Sequence, residues 1–349
     1  MSASAPVLTS LGCNARVPDF HAYGLIAGRV TQIDRSSVTV TAETGLLRVP
    51  IVVPEVICGD WVGVSPSEPR VILQVAPRWS LLQRGSADGS SSPQLLAANV
   101  DVTMVAIGLD RDLNLRRMHR LLTIAWSSGS TPVVVVTKAD IVDQDGPMLA
   151  QAESVIGRDA AGVQVVATSV RTGRGLDRLH ELVPSGTTAV LVGESGAGKT
   201  SLVNALTGRR LQVGAVRDRD HKGHHTTRSR TLIPIPGGGV LLDTPGLRGV
   251  GLSGGEADAL SAAFSDISAL ASQCHFRDCA HRTEPGCAVL SAVEIGTLGA
   301  DRLRSFRKLE DERASAARRA DARRGRADAR REGRAFKRFK EQQDRLRGL

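Results

Sequence analysis

Aromatic side chains are scarce: six Phe, three Trp and one Tyr in 349 residues. The cores must therefore be built from Val, Leu, Ile and Ala, and there are few rings on which nucleic-acid bases could stack. Long apolar runs are missing too. None approaches the ~20 residues needed to cross a bilayer, and residues 1–17 lack the basic patch and apolar stretch of a secretory signal. No membrane contact and a cytoplasmic location are expected. The five cysteines are an odd number, which argues against a disulfide framework in such a compartment. Excess charge is absent from most of the chain. Residues 302–349 hold 18 Lys+Arg against 8 Asp+Glu, and residues 1–301 hold 27 against 28. The net charge of +9 thus belongs to the tail, which points to a polyanionic partner for that segment.

Composition and periodicity divide the rest. Residues 1–20 show no pattern and read as a flexible tail. Over 21–78, short apolar segments at 28–33, 37–40 and 60–64 alternate with turn residues, which suits a β-barrel of about five strands. An oligonucleotide-binding (OB) barrel is one candidate, while Tyr23 and Trp61 also suit a core. Residues 79–98, with the Gly/Ser-rich stretch 85–93, read as a linker. Over 99–250 the pattern turns α/β, with strands at 100–109, 131–136, 164–168, 188–192 and 240–242 and helices between, as in a doubly wound sheet. Residues 251–300 read as helical around a Cys/His cluster, and 301–349 as a basic helical tail.

The octapeptide Gly193, Glu194, Ser195, Gly196, Ala197, Gly198, Lys199, Thr200 matches G-x-x-x-x-G-K-[ST], between an apolar strand and an amphipathic helix that opens at Ser201. Such a loop turns backbone amides toward phosphate oxygens at a helix N-terminus. Lys199 would reach the β- and γ-phosphates, and Thr200 would ligate Mg²⁺. Asp243, Thr244, Pro245 and Gly246 follow the strand at 240–242. There Asp243 can hold Mg²⁺ through water, and the Gly246 amide can sense the γ-phosphate. In the polar run 222–228, Thr226 or Thr227 can close over the metal and γ-phosphate in the manner of a GTPase switch.

Thr137, Lys138, Ala139 and Asp140 end another strand. A carboxylate at Asp140 can accept from the two donors on guanine's edge, which adenine lacks, while Lys138 packs along the ring. Ser169 and Val170 close a later strand, where a backbone amide could meet guanine O6. Thr137 stands where an Asn usually ties this motif to the phosphate loop, which predicts weaker base affinity. The base-reading motifs precede the phosphate loop, the reverse of the usual order. That order implies a circularly permuted GTPase domain, which leaves the switch at 243–246 leading straight into the C-terminal segment.

Cys274, Cys279, His281 and Cys287 give C-x4-C-x-H-x5-C. Three thiolates and an imidazole would fill a closed, structural Zn²⁺ site, with His275 left over at the surface. Buried free cysteines are the alternative.

In combination, GESGAGKTS (193–201), GHHTT (223–227), DTPG (243–246) and CHFRDCAHRTEPGC (274–287), in this permuted order, resemble the RsgA/YjeQ family of small-subunit-dependent ribosomal GTPases. The resemblance spans about residues 21–310. It implies an OB domain, a permuted GTPase and a zinc-binding helical domain. It also implies GTP hydrolysis stimulated by the 30S subunit, contact with 16S rRNA and a part in late 30S maturation. Leu247 follows DTPG where Ras-like enzymes carry a water-orienting Gln, so His225 is the candidate for that role, as the family also suggests. A monomer cycling between GTP and GDP is expected. The residues alone leave open a P-loop ATPase, or an RNA-binding assembly factor that uses nucleotide only as a conformational switch.

Overall fold

The computed structural model describes residues 6–34, 36–51, 56–84, 94–142, 147–160, 162–210, 231–243 and 257–346. Residues 6–20 are not the loose tail expected for 1–20. Helix α1 (Pro6–Ser10) and the turn after it bury Leu8 and Leu11 against Phe20, Ala27 and Trp61. A five-residue helix has no stability of its own, so this packing holds it. Strands β1 (Ile26–Ile33), β2 (Ser37–Ala42), β3 (Gly45–Pro50), β4 (Trp61–Val64) and β5 (Ile72–Val75) follow. All their pairings are antiparallel: β2 with β1 and β3, and β4 with β1 and β5. Val30, Val38, Val40, Val49, Val62 and Val64 fill their interior. Trp61 is fully buried, whereas Tyr23 is 69% exposed; of the two candidate core aromatics, only Trp61 is one.

Residues 79–98 are not a linker either. Strands β6 (Leu81–Arg84) and β7 (Gln94–Ala98) pair as an antiparallel ladder, with Leu82, Leu96 and Ala97 buried. The Gly/Ser-rich composition that suggested a linker belongs to residues 85–93, which lie outside the described residues.

Next come β8 (Val102–Gly108), α2 (Leu115–Ser127), β9 (Thr131–Thr137), α3 (Pro147–Asp159), β10 (Gln164–Ala167), α4 (Leu176–Leu182), β11 (Thr188–Gly193), α5 (Lys199–Thr207), β12 (Thr231–Pro234) and β13 (Val240–Asp243). The sheet runs β10-β9-β8-β11-β13-β12 and continues through β1, β2 and β3. It is parallel from β10 to β13, and β12 is antiparallel to both β13 and β1. The fold is therefore α/β with a mixed sheet rather than a purely parallel, doubly wound one. Strand β12 carries only four residues and ends in Pro, which left it no readable pattern.

The unbroken apolar run of β9 shows why the parallel part is interior. Val133 and Val135 join one core with Leu202 and Leu206 of α5, while Val134 and Val136 join the other with Met118 and Leu122 of α2. Strands buried on both faces lose the polar alternation of surface strands. Helices α6 (Ala257–Ala263), α7 (Ser265–Ala271), α8 (Ala288–Glu294) and α9 (Ala300–Leu346) add Phe264, Ile267, Val289, Leu303 and Phe306 to the α2 side. The C-terminal segment thus shares a core with the sheet. Arg302 of α9, 3% exposed, is bidentate to Asp266, donates to the carbonyls of Ala263 and Asp159, and lies over the Phe264 ring. No helix among the described residues is long and apolar enough to cross a membrane.

One buried cation joins the N-terminal strands to the sheet. Arg29 of β1 is fully buried and donates to the carbonyls of Leu11, Gly59 and Asn99 and to Thr188 Oγ1 of β11. Gly12, at φ +87°, makes room for it, since a Cβ there would lie 2.6 Å from Arg29 Nη1. Burial pushes the guanidinium pKa down to about 10, still charged at neutral pH. Replacing Arg29 by Ala would strand these acceptors and leave a cavity. We expect Arg29→Ala to lose about 3–5 kcal/mol in urea unfolding; a loss under ~1 kcal/mol would show the joint does not depend on it.

Candidate functional site

The parallel strands end together on one edge of the sheet, the edge at which α/β folds gather their ligand-binding loops. Strand β11 ends at Gly193 (φ +149°), where a Cβ would lie 2.5 Å from the Ala106 carbonyl of β8. Gly196 and Gly198 take φ of +80° and +76°, and Gly198 caps the N-terminus of α5. The glycines of the motif thus allow the close approach and left-handed turns that fold residues 193–198 back over the helix end. Lys199 Nζ donates to the carbonyls of Gly193 and Glu194, inside the loop. Thr200 and Ser201 open α5, with Thr200 exposed and Ser201 half-buried.

Thr137 makes a tie to the phosphate loop of the kind usually supplied by Asn. Its side chain is 3% exposed, and Oγ1 donates to the Ala197 carbonyl of the phosphate loop at 3.0 Å, with the Ile107 carbonyl at 3.3 Å. A hydroxyl carries one proton, so the nearer Ala197 bond takes most of it. Thr137 ties the two motifs together without an amide.

Lys138 has φ +61° and donates from Nζ to Asp110 at 2.7 Å. Asp140 accepts from Ser169 Oγ at 2.6 Å and lies 3.8 Å from Arg171. The Ser169 hydrogen bond holds the Asp140 carboxyl below the usual carboxylate range, keeping it an anionic acceptor. Ser169 Oγ in turn accepts from the Thr172 amide. A cleft of about 300 Å³ opens between these motifs, lined by Lys138, Asp140, Thr168, Val170, Gly198 and Leu202. Its lining brings the Asp140 carboxylate together with apolar Val170 and Leu202 and with Gly198, where the phosphate loop leads into α5.

The loop between β8 and α2 contributes a further set of contacts. Asp110 takes both Lys138 and Arg111 on one carboxylate oxygen, and although burial raises its pKa, these two partners hold it below its ordinary value. Arg111 Nη1 donates to the Ser195 carbonyl at 3.2 Å. Asn114 N-caps α2 through the Arg117 amide and also donates to Glu194 at 3.2 Å, while Arg117 lies 3.5 Å from the same carboxylate. Asp243 ends β13 with its pKa raised by burial and partly offset by Arg209. His225, Thr226, Thr227 and Gly246 lie outside the described residues.

A separate cluster forms around α8. The ligand atoms of Cys274, Cys279, His281 and Cys287 lie within 4.8 Å of one another. Sγ of Cys274 and Cys287 are 3.8 Å apart, and His281 Nδ1 is 3.6 and 3.5 Å from them. A tetrahedral ion with sulfur at about 2.3 Å and nitrogen at about 2.0–2.1 Å requires edges of about 3.8 and 3.5 Å. The donor set fits. Burial raises the Cys274 thiol, but the amides of Val289 and Ala288 at the start of α8 lower it further, to a net value below that of a free thiol. His275 is exposed and takes no part in the cluster.

Residues 75–253 match the RsgA GTPase family. A small ribosomal subunit biogenesis GTPase RsgA of Streptomyces avermitilis is 46% identical over 318 residues, covering 88% of this chain and 85% of that protein. The protein of the same name from Streptomyces coelicolor is also 46% identical, over 324 residues, covering 90% and 87%. The chain belongs to the RsgA GTPase family. Among solved structures, YjeQ from Thermotoga maritima superposes with a TM-score of 0.64 at 27% identity, covering 82% of this chain and 98% of that one. YloQ, described as a circularly permuted GTPase, gives 0.62 at 23% identity over 86% and 98%, a likeness of fold.

In this fold β9 and β10, which lead to the base-reading loops, precede β11 in sequence and lie beyond β8 on one side of it. Asp110, Arg111, Asn114 and Arg117 were not anticipated. The available signal was a polar run directly after a buried strand, but nothing in it says that it folds over the phosphate loop. The Thr137 tie gives a direct test. Thr137→Val is expected to weaken GDP and GTP binding about 3- to 10-fold, and Thr137→Ser to restore most of it, by fluorescent-nucleotide titration. Wild-type affinity in the valine variant would remove the tie from nucleotide binding.

Proposed function

We propose that this GTPase acts with the small ribosomal subunit, as a late 30S maturation checkpoint that contacts 16S rRNA. The observation that carries the nucleotide half is the single cleft in which Asp140, held by Ser169, faces a phosphate loop tied to it through Thr137. The ribosomal half is supported by the names of the Streptomyces relatives and by the excess of Lys and Arg over residues 302–349, where each phosphate neutralised would release counterions.

In this reading Asp140 accepts from guanine N1–H and the N2 amino group, Lys138 covers the ring, and the Ser169 backbone amide lies toward O6. The amides of residues 194–200 cradle the phosphates with Lys199. Thr200 and Asp243 would hold Mg²⁺, which would supply positive charge to the triphosphate. Thr226 or Thr227 and Gly246 sense the γ-phosphate, and His225 orients the attacking water. Cys274, Cys279, His281 and Cys287 would hold one structural Zn²⁺, a four-residue donor set of the closed, structural kind.

We assign 21–78 to an OB-like barrel, 99–250 to the permuted GTPase unit, 251–300 to the zinc-binding unit and 301–349 to the basic helix. The β1-β2-β3 meander with β4 on β1 and β5 on β4 supports the first assignment. The protein acts as a cytoplasmic monomer.

Two measurements test these readings. GTP turnover titrated with 30S, 50S and 70S particles is expected to rise with 30S and to lose that rise in His225→Ala. Equal stimulation of both proteins would take His225 out of the mechanism, and stimulation by none would overturn the ribosomal reading. For the cluster, one Zn²⁺ per chain is expected by metal analysis, with Cys287→Ser losing the metal and unfolding at lower temperature; a metal-free wild type of unchanged melting temperature would sink the zinc assignment.

A further inference from the structure

Arg111 is held at the rim of the phosphate loop by two bonds, to the Ser195 carbonyl and to Asp110, each at 3.2 Å. Its guanidinium lies against the fourth residue of the loop, so close that a Cβ on Gly196 would be 2.7 Å from Nη2. A guanidinium has five N–H donors. The two bonds leave three with no acceptor among the described residues, on a side chain that is 44% exposed.

Charge points the same way. Around the loop and its cleft stand Lys138, Arg171, Lys199, Arg111 and Arg117 against Asp110, Asp112, Asp140 and Glu194, a surplus of one positive charge. In the GTPase reading that surplus stands beside the loop that would cradle a triphosphate. Asp110 divides one carboxylate oxygen between Lys138 on the base side and Arg111 on the phosphate side, so it fixes where the second cation stands without neutralising both.

We propose that Arg111 is a catalytic residue of the GTPase reaction, a phosphate-contacting arginine supplied by the chain itself from the loop between β8 and α2. In hydrolysis the water oxygen bonds to the γ-phosphorus as the bond from phosphorus to the β–γ bridging oxygen breaks. The electron pair of that bond goes to GDP, and one proton is released to solvent. Arg111 transfers no proton. Its remaining donors meet the charge that grows on the bridging and γ-oxygens, a contribution worth more in the transition state than in bound GDP. Glu194, tied to Asn114 and Arg117, keeps the loop fixed against the segment that carries the arginine.

This inference rests on the GTPase assignment but not on ribosome coupling, so the full-length chain is assayed without ribosomal particles. Single-turnover cleavage of GTP is compared for wild type, Arg111→Ala and Arg111→Lys, together with equilibrium binding of GDP and of GDP with aluminium fluoride. Arg111→Ala is expected to slow cleavage by roughly 10²-fold, in line with loss of one preorganised donor. Its GDP affinity should stay within about twofold, and the tightening of GDP by aluminium fluoride should disappear. Lysine, which keeps the charge but not the fork, should recover only part of the rate.

A saturating rate within about threefold of wild type in the folded Ala variant overturns the proposal. If GDP and GTP affinities fall together at an unchanged rate, Arg111 is only a clip on Ser195. Failure of the wild type itself to cleave GTP would instead count against the GTPase assignment.

Discussion

A buried guanidinium must find oxygens for its donors, and Arg29 makes four such bonds, on four separate pieces of chain. Leu11 follows the first helix, Gly59 precedes β4, Asn99 leads into β8, and Thr188 begins the strand that ends in the phosphate loop. The acceptors are carbonyls and a hydroxyl, so no single anion neutralises the charge, and the geometry is set by all four segments at once. An unpaired buried polar group costs far more than a satisfied one returns, so none of the four can shift alone. The root of β11 is thereby fastened to the N-terminal strands, while its other end carries the glycine turn that closes the nucleotide site.

From that fixed strand the site is assembled by short polar ties between loops rather than by any one element. Thr137 joins the base-reading turn to the phosphate loop, Ser169 holds Asp140, and Asp110 holds Lys138. The Ser169 and Asp110 ties join neighbouring strand ends along the carboxyl edge of the parallel sheet, while the Thr137 tie reaches from β9 past β8 to the loop after β11. The nucleotide-binding loops need little length of their own because the strands already bring their ends together.

Much of this was readable from residues, and what was missed shares one cause. The strand-loop-helix around 193–200, the Asp140 and Ser169 turns and the Cys/His spacing each carry their chemistry in a few consecutive positions. Fixed spacing survives in sequence. The Leu8 and Leu11 anchor, the β6–β7 ladder and β12 depend instead on distant partners, and short segments without periodicity say nothing of those partners. The Thr137 tie is hidden for a related reason: residue type does not say that this hydroxyl stands 3.0 Å from Ala197 O. Arg29 and Arg111 appeared as ordinary charges, one in a strand and one in a loop, because their meaning lies in what surrounds them.

Helix α2 touches the phosphate loop at one end through Asn114 and Arg117, and meets α9 through Arg120 and Glu312. Helix α9 buries Leu303, Phe306, Leu309 and Ala316 and continues to Leu346. At ~1.5 Å per residue Leu346 lies about 45 Å along the axis from Ala316, so a tilt of ~5° about that point would swing the helix end by ~4 Å. Small adjustments beside the nucleotide can thus be geared up into displacements the size of a nucleotide's phosphate group, at the far end of the most basic segment of the molecule.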